Sequence, residues 1–227
     1  KYDAEIYVSA SHGIQSKISY EKNDYNLATH HDGSGLSITL YKDQKSGSTS
    51  INTFNPKEID LAIKKCLAMA EFSIPDPYLS LAPKADYKSI PLFFDPSLIE
   101  MNMSSLKKTL TQLVKETLAE EKIILDSATV ERTLSARVIA NSKNMMACDY
   151  NASLSWFTMG MGRTTKELTS MDYHGDYSYD TNKLEEKLSN SSSIFKKKLL
   201  AYLNAKQGES FKGKVLIPPT LVDEFIL

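Results

Sequence analysis

The sequence predicts an α+β fold in two modules, each an antiparallel sheet packed with amphipathic helices. Three observations carry that prediction. Short strand-patterned runs recur through residues 4–53 and again through 123–161, with clear period-two alternation at 4–10 and 148–156, the pattern of strands with one wet face. Helical stripes, apolar at three- and four-residue spacing, occur at 59–70, 106–118 and 184–203. Four prolines within 74–95 separate the two halves. The expected organisation is a sheet-plus-helix module over 1–80, a linker over 81–103, and a second, incomplete α+β module over 104–227.

The elements follow in order. In 4–10, Ile6 and Val8 alternate with Glu5 and Tyr7, and Gly13 offers a turn. Residues 14–20 and 25–30 read as short strands around a polar turn at 21–24. Asp32-Gly33-Ser34-Gly35 predicts a loop, followed by a strand at 36–41, a turn at 42–47 and a polar strand at 48–53. Asn55-Pro56-Lys57-Glu58 is a helix start: a capping side chain, a proline suited to the first turn, and an acid facing the positive helix end. Ile59, Ile63, Cys66, Leu67 and Ala70 form its stripe, and the helix ends near Ser73.

Asp95-Pro96 predicts a short helical turn, and a second helix starts at Ser104 or Ser105 with Leu106, Leu110, Leu113, Val114 and Leu118 inward. The runs 130–139 and 148–156 pair through Asn141-Ser142-Lys143-Asn144, where Asn144 can take the left-handed conformation of a tight hairpin. A polar, tyrosine-rich loop at 171–180 leads to Asn182-x-x-Glu185, a capping-box-like start for the last helix. The final fourteen residues, KVLIPPTLVDEFIL, hold a strand-like Val215-Leu216-Ile217, two prolines and an apolar helix-like segment from Leu221 with no stop signal. With Lys1 in place of an initiator Met, they predict a piece of a longer protein.

Composition narrows the function. Twenty-seven basic against twenty-eight acidic residues argue against direct nucleic-acid binding, which draws on a basic excess. No apolar run spans a membrane and no signal peptide is present, so the cytoplasm is the expected compartment. Cys66 and Cys148 lack metal or redox spacing and read as reduced core thiols.

The search for chemistry is short. His12, His30, His31 and His174 have no partner at the spacing that places two ligands on one helix face. His30-His31-Asp32 is the one dense cluster, but adjacent strand residues face opposite ways. They read as surface or turn histidines, with ligation alongside distant partners as the alternative. His174 lies between Asp172 and Asp176, which would raise its pKa on approach; a solvated loop is the simpler reading. Trp156 reads as a core residue, with a substrate-facing role as the alternative. No nucleophile elbow, phosphate loop or dinucleotide fingerprint occurs. The residues themselves thus identify no catalytic group and no metal ligand.

Several signatures together resemble the TldD/PmbA family, also described as modulators of DNA gyrase. AEIYVSASHGIQSKIS resembles its first strand pair, and DGSGLSITLYKDQKSGSTSINTFNPKEIDLAIKKCLAMA its following strands and helix. Pro75-Asp76-Pro77 and Leu81-Ala82-Pro83 resemble the exit from that helix. VIANSKNMMACDY resembles the family's Asn-Ser hairpin, with Asn144 where Gly is usual. MDYHGDYSYDTNKLEEKL and GKVLIPPTLVDEFIL also match in character. The resemblance implies two possibilities. TldD-type members are zinc metallopeptidases with a His-Glu-x-x-x-His helix, and PmbA-type (TldE) members lack it and pair with the active subunit. Thr220-Leu221-Val222-Asp223-Glu224 stands where TldD-type chains approach that motif and resembles the PmbA type.

The expected role is a non-catalytic subunit of a complex that processes small or unfolded peptides, partnered by a TldD-type subunit or a second copy. No cofactor is expected in this chain, with zinc belonging to the parent protein or its partner. The alternatives are an active zinc peptidase whose motif lies beyond Leu227, and an interaction module modulating DNA gyrase. Asn141, Ser142, Trp156 and His174 are the candidate substrate or partner contacts.

Overall fold

The structure, a computed structural model, describes residues 3–85, 94–217 and 221–222. Three long-to-short strands open the chain: β1 (Glu5–Glu21), β2 (Asp24–Lys42) and β3 (Lys45–Ile51). Two-residue turns connect them. Lys22, Asn23, Asp43 and Gln44 all have φ between 51° and 64°, the left-handed pair that matches the twist of a tight hairpin. β4 (Ile123–Asn141), β5 (Met146–Gly162) and β6 (Asp172–Ser178) repeat the meander, and Asn144 (φ 60°) turns the β4–β5 hairpin as its sequence suggests. The sheet order is β3-β2-β1-β4-β5-β6, antiparallel throughout.

The helices are α1 (Pro56–Phe72), α2 (Ser97–Glu100), α3 (Met103–Leu118) and α4 (Leu184–Tyr202). Asn55 caps α1, its side chain accepting from the Lys57 N–H at 2.9 Å. α1 buries Ala62 and Cys66 against Leu36, Ile38 and Leu40, with Ile6 and Val8 packed at the margin. Leu98, Leu106, Leu110, Leu113, Leu188, Phe195 and Leu199 from α2, α3 and α4 pack on Ile18, Val130, Leu154 and Trp156. Val8 and Ile18 are an even number of residues apart on β1, so both helical layers cover the same sheet face.

The α+β class is as the sequence predicts. Each half keeps its own helices and its own core, but the two antiparallel regions join edge to edge. β1 and β4 pair from Tyr7–Asn141 to Glu21–Ser127, which makes one continuous sheet.

Other elements differ from the sequence reading. Gly13 is no turn, and Asp32-Gly33-Ser34-Gly35 is no loop: Gly13 pairs with Gly33, and no described glycine has a positive φ. Alternation of Ile6, Val8, Ala10, Ile14 and Ile18 continues through Gly13, and that face pattern prevails over the local turn signal. The expected loop at 171–180 is largely strand β6, a half-wet edge whose tyrosines carry β propensity without apolar alternation. Asn182 does not cap α4. Lys183 takes the capping position with φ 53°, and the Asn182 N–H donates to Asp180 at 2.8 Å. Cys148 is exposed, because it sits on the half of β5 that the helices leave bare. Among the described residues, Val215-Leu216-Ile217 forms no strand, and Leu216 lies at the surface. Pro218-Pro219 and residues 223–227 of the expected final helix lie outside the described residues.

Gly47 shows how tightly α1 seats on β3. A Cβ there would stand 2.0 Å from the Cys66 carbonyl oxygen, a backbone atom that cannot step aside alone. Gly47→Ala is expected to lower the unfolding free energy by about 1–3 kcal/mol, the usual cost of overpacking. Urea denaturation checks this, with Asn55→Ala as a comparison costing about 1 kcal/mol through its lost cap.

Candidate functional site

The two helical layers leave a trough between them. It crosses the sheet along two register-paired rows, Ser34–His12–Ala136–Tyr150 and Asp32–Ile14–Leu134–Ala152. Phe94 and Ile99 close one side, and together with Ile14, Leu134, Tyr150 and Ala152 they bound a cavity of about 180 Å³. The trough is therefore apolar over β4 and β5 and polar over β2.

At the polar end, His12 Nδ1 lies 3.0 Å from Ser34 Oγ and 3.6 Å from an Asp32 oxygen. His30 Nδ1 lies 3.0 Å from Ser16 Oγ. His30 and His31 do face opposite sides, as their adjacency requires.

Arg132 fixes one wall. It occupies an inward position among Val130 and Leu134 and is 8% exposed. Its Nη1 donates to the carbonyls of Ile99 (3.0 Å), Leu98 (3.5 Å) and Met101, and its Nη2 to Ser16 Oγ at 3.3 Å. These carbonyls close α2, where helix geometry leaves acceptors without intrahelical donors. Burial lowers the Arg132 pKa, yet a guanidinium keeps its charge in a protein. Through Ile99 it holds the cavity wall, and through Ser16 it connects to His30.

The sheet is also staggered. β3 pairs only with Leu36–Lys42 of β2, and β6 only with Leu154–Gly160 of β5. Among the described residues, the outer edges of residues 27–35 and 146–153 carry no strand. A bulge at Asn26 ends the first of these edges.

The four sequence candidates do not converge on the trough. Asn141 closes its own hairpin, accepting from Lys143 N–H (2.9 Å) and Met145 N–H (3.2 Å) and donating to the Ala82 carbonyl (2.8 Å). Ser142 clamps the start of β1: its Oγ accepts from Ile6 N–H (3.1 Å) and its N–H donates to the Ile6 carbonyl (2.9 Å). Trp156, at 2% exposure, is a core residue paired with Val130, roughly 35 Å along the strand from Asn141. His174 faces α4 from β6, with Nε2 buried and unpartnered. Burial lowers its pKa, assisted by Lys198 and opposed by Asp176, so the expected upward shift is reversed. Asp172 does not reach it as a free charge. Burial would raise the Asp172 pKa, but Lys198 at 2.8 Å, the Tyr173 N–H and Tyr202 together lower it.

Sequence reasoning passed over His12, Ser34 and Arg132. The first two depend on register, which the sequence does not print. Arg132 did carry a signal, since a cation stands in the apolar phase of a strand.

Residues 4–70 match the family model described as PmbA/TldA metallopeptidase domain 1. This stretch is thus similar to the first domain of the TldD/PmbA family. No curated protein matches the chain. Three solved structures share the fold of this chain. TldE from Thermococcus kodakarensis has a TM-score of 0.74 at 18% identity, covering 85% of this chain and 44% of that one. A candidate modulator of a DNA gyrase from Thermotoga maritima has a TM-score of 0.71 at 10% identity, covering 84% and 43%. A candidate modulator of DNA gyrase from Bacteroides thetaiotaomicron gives 0.78 at 18%, covering 90% and 47%. The chain thus spans about half the length of the structures it matches.

The zinc that the family name implies finds no fit here. Among the described residues no three His, Cys, Asp or Glu side chains are placed to hold a metal ion. Among the same residues no helix is long and apolar enough to cross a membrane.

Two measurements follow from this geometry. Arg132→Met strands three carbonyls, and urea denaturation should show a loss of about 2–4 kcal/mol. The second concerns His174. Its folded pKa lies below the ordinary value of about 6.5, so below that pH the unfolded chain binds the extra proton. Stability from this group is full above about pH 6.5 and falls as pH drops toward the lowered folded value. His174→Gln should flatten the decline in thermal midpoint over that window and change nothing at pH 8.

Proposed function

We propose that this chain is the N-terminal half of a PmbA-like, non-catalytic subunit of a peptidase complex that processes small or unfolded peptides. The observation that carries the reading is the pair of strand edges flanking the trough, at residues 27–35 and 146–153, that carry no partner strand among the described residues. An open edge presents main-chain N–H and C=O groups that pair with an extended segment irrespective of its sequence. That suits a protein that handles unfolded chains or receives a strand from a partner subunit. The PmbA-like stretch Thr220-Leu221-Val222-Asp223-Glu224 and the fold shared with TldE support the choice of subunit type.

A second reading is an active metallopeptidase with its His-Glu-x-x-x-His helix past Leu227. The family model's description as a metallopeptidase domain favours it. Zinc there would polarise the scissile carbonyl and activate a water. A gyrase-directed role, suggested by the names of two structural neighbours, would run through protein contacts given the balanced charge.

Size-exclusion chromatography of the full-length protein with a TldD-type subunit should give a co-eluting complex carrying zinc in the partner alone. About one zinc per copy of this protein, measured by mass spectrometry after chelator-free purification, would instead establish the peptidase reading.

A further inference from the structure

We infer that Asp172, Asp176 and Lys198 close the outer edge of β6 to strand addition, and so keep the sheet from extending into a second copy of the chain. The inference is independent of the peptide-handling reading above.

β6 ends the sheet, and among the described residues no strand pairs with its outer side. The direction of its backbone groups follows from the β4–β5 hairpin. The Asn141 N–H donates to the Met145 carbonyl at 3.0 Å, so odd-numbered residues of β4 bond toward β5. Val130, an even-numbered residue opposite Trp156, therefore bonds away from β5, and Trp156 bonds toward β6, where it faces Asp176. By the same alternation, Tyr173, Gly175 and Tyr177 point their N–H and C=O groups away from the sheet.

Several of these outward groups are already taken. The Tyr173 N–H donates to Asp172 Oδ1 at 2.7 Å, and the Tyr177 N–H to Asp176 Oδ1 at 2.8 Å. Lys198 Nζ, held by Asp172 at 2.8 Å, reaches the Tyr173 carbonyl at 3.4 Å. Bonds to a charged acceptor or from a charged donor are stronger than the amide–carbonyl bonds an incoming strand offers. A strand adding here would have to displace two carboxylates and an ammonium, and it would meet their charges on the edge itself.

The closure matters because the strand suits pairing with itself. Antiparallel pairing of two copies about Gly175 would set Tyr173 opposite Tyr177 on both sides of the centre, with no two like charges face to face. Both tyrosines are exposed, at 62% and 61%. An outer strand with such side chains and free main-chain groups is a template for another chain.

The test compares the full-length protein with edge variants, with near-ultraviolet circular dichroism reporting the fold. Asp172→Ala/Asp176→Ala should self-associate about tenfold or more tightly than the parent in sedimentation equilibrium. The Tyr173, Gly175 and Tyr177 amides should gain protection from hydrogen exchange in that associated form. Gly175→Pro on the same background removes the outward donor at the centre and should return the parent's state. Asp176 is exposed, so Asp176→Ala alone keeps the test decisive where the double variant does not fold. In it the Tyr177 amide should exchange about fivefold faster than in the parent. Asp176→Asn, which retains an acceptor oxygen, should keep most of the protection. A folded double variant that associates no more than the parent overturns the inference. So does association that survives Gly175→Pro, or a Tyr177 amide unchanged in Asp176→Ala.

Discussion

The pairing of β1 with β4 is the constraint on which the rest of the molecule depends. It joins residues far apart in sequence, such as Ile18 with Val130, and fixes how the two halves share one sheet. Because side chains on a strand alternate between faces, a one-residue slip here would turn one core toward water while leaving the other in place. The buried rows on both sides, Ile18 with Val130 and Leu154 with Arg132, make such a slip costly. Pairing at this sequence separation also carries a loop-closure cost before any contact is made, the kind of non-local contact that slows folding in general.

The trough follows from the same pairing. Each helical layer grips its own end of the shared sheet, α1 over β2, β3 and the start of β1 and α2–α4 over β4–β6 and the end of β1, and the middle rows lie between two cores that do not merge. The stagger that leaves two strand edges open has the same origin, because β3 and β6 reach only as far as the helices that cover them. Arg132 stands at the seam. It ties β4 to the end of α2 by donating to carbonyls rather than by pairing with a carboxylate.

Much of this was legible in the sequence. Asn55-Pro56 marked α1, Asp95 marked α2 through its acceptance from the Ser97 N–H, and Asn144 marked the β4–β5 turn. These signals are local, and the physics that sets them acts within a few residues. The continuity of β1 through Gly13 and of β2 through Gly33 was not legible. Both glycines lie opposite each other in a register set by residues more distant in the chain. β6 escaped for a related reason: its pairing with β5 is supplied by the neighbour, while its own residues alternate tyrosine with aspartate and glycine. The trough is further still from sequence, since His12, Asp32, Leu134 and Ala152 become neighbours only when four strands align.

The contrast between the two cysteines has a practical side. Cys66 is fully buried and its thiol donates to the Ile38 carbonyl, while burial raises its pKa and keeps it in the unreactive protonated form. Cys148 is exposed and lies on the open stretch of β5 itself. The chain therefore comes with one addressable thiol, at the place where an incoming strand would change its surroundings. A spectroscopic label could be attached there without engineering, and it would sense occupancy of that edge directly.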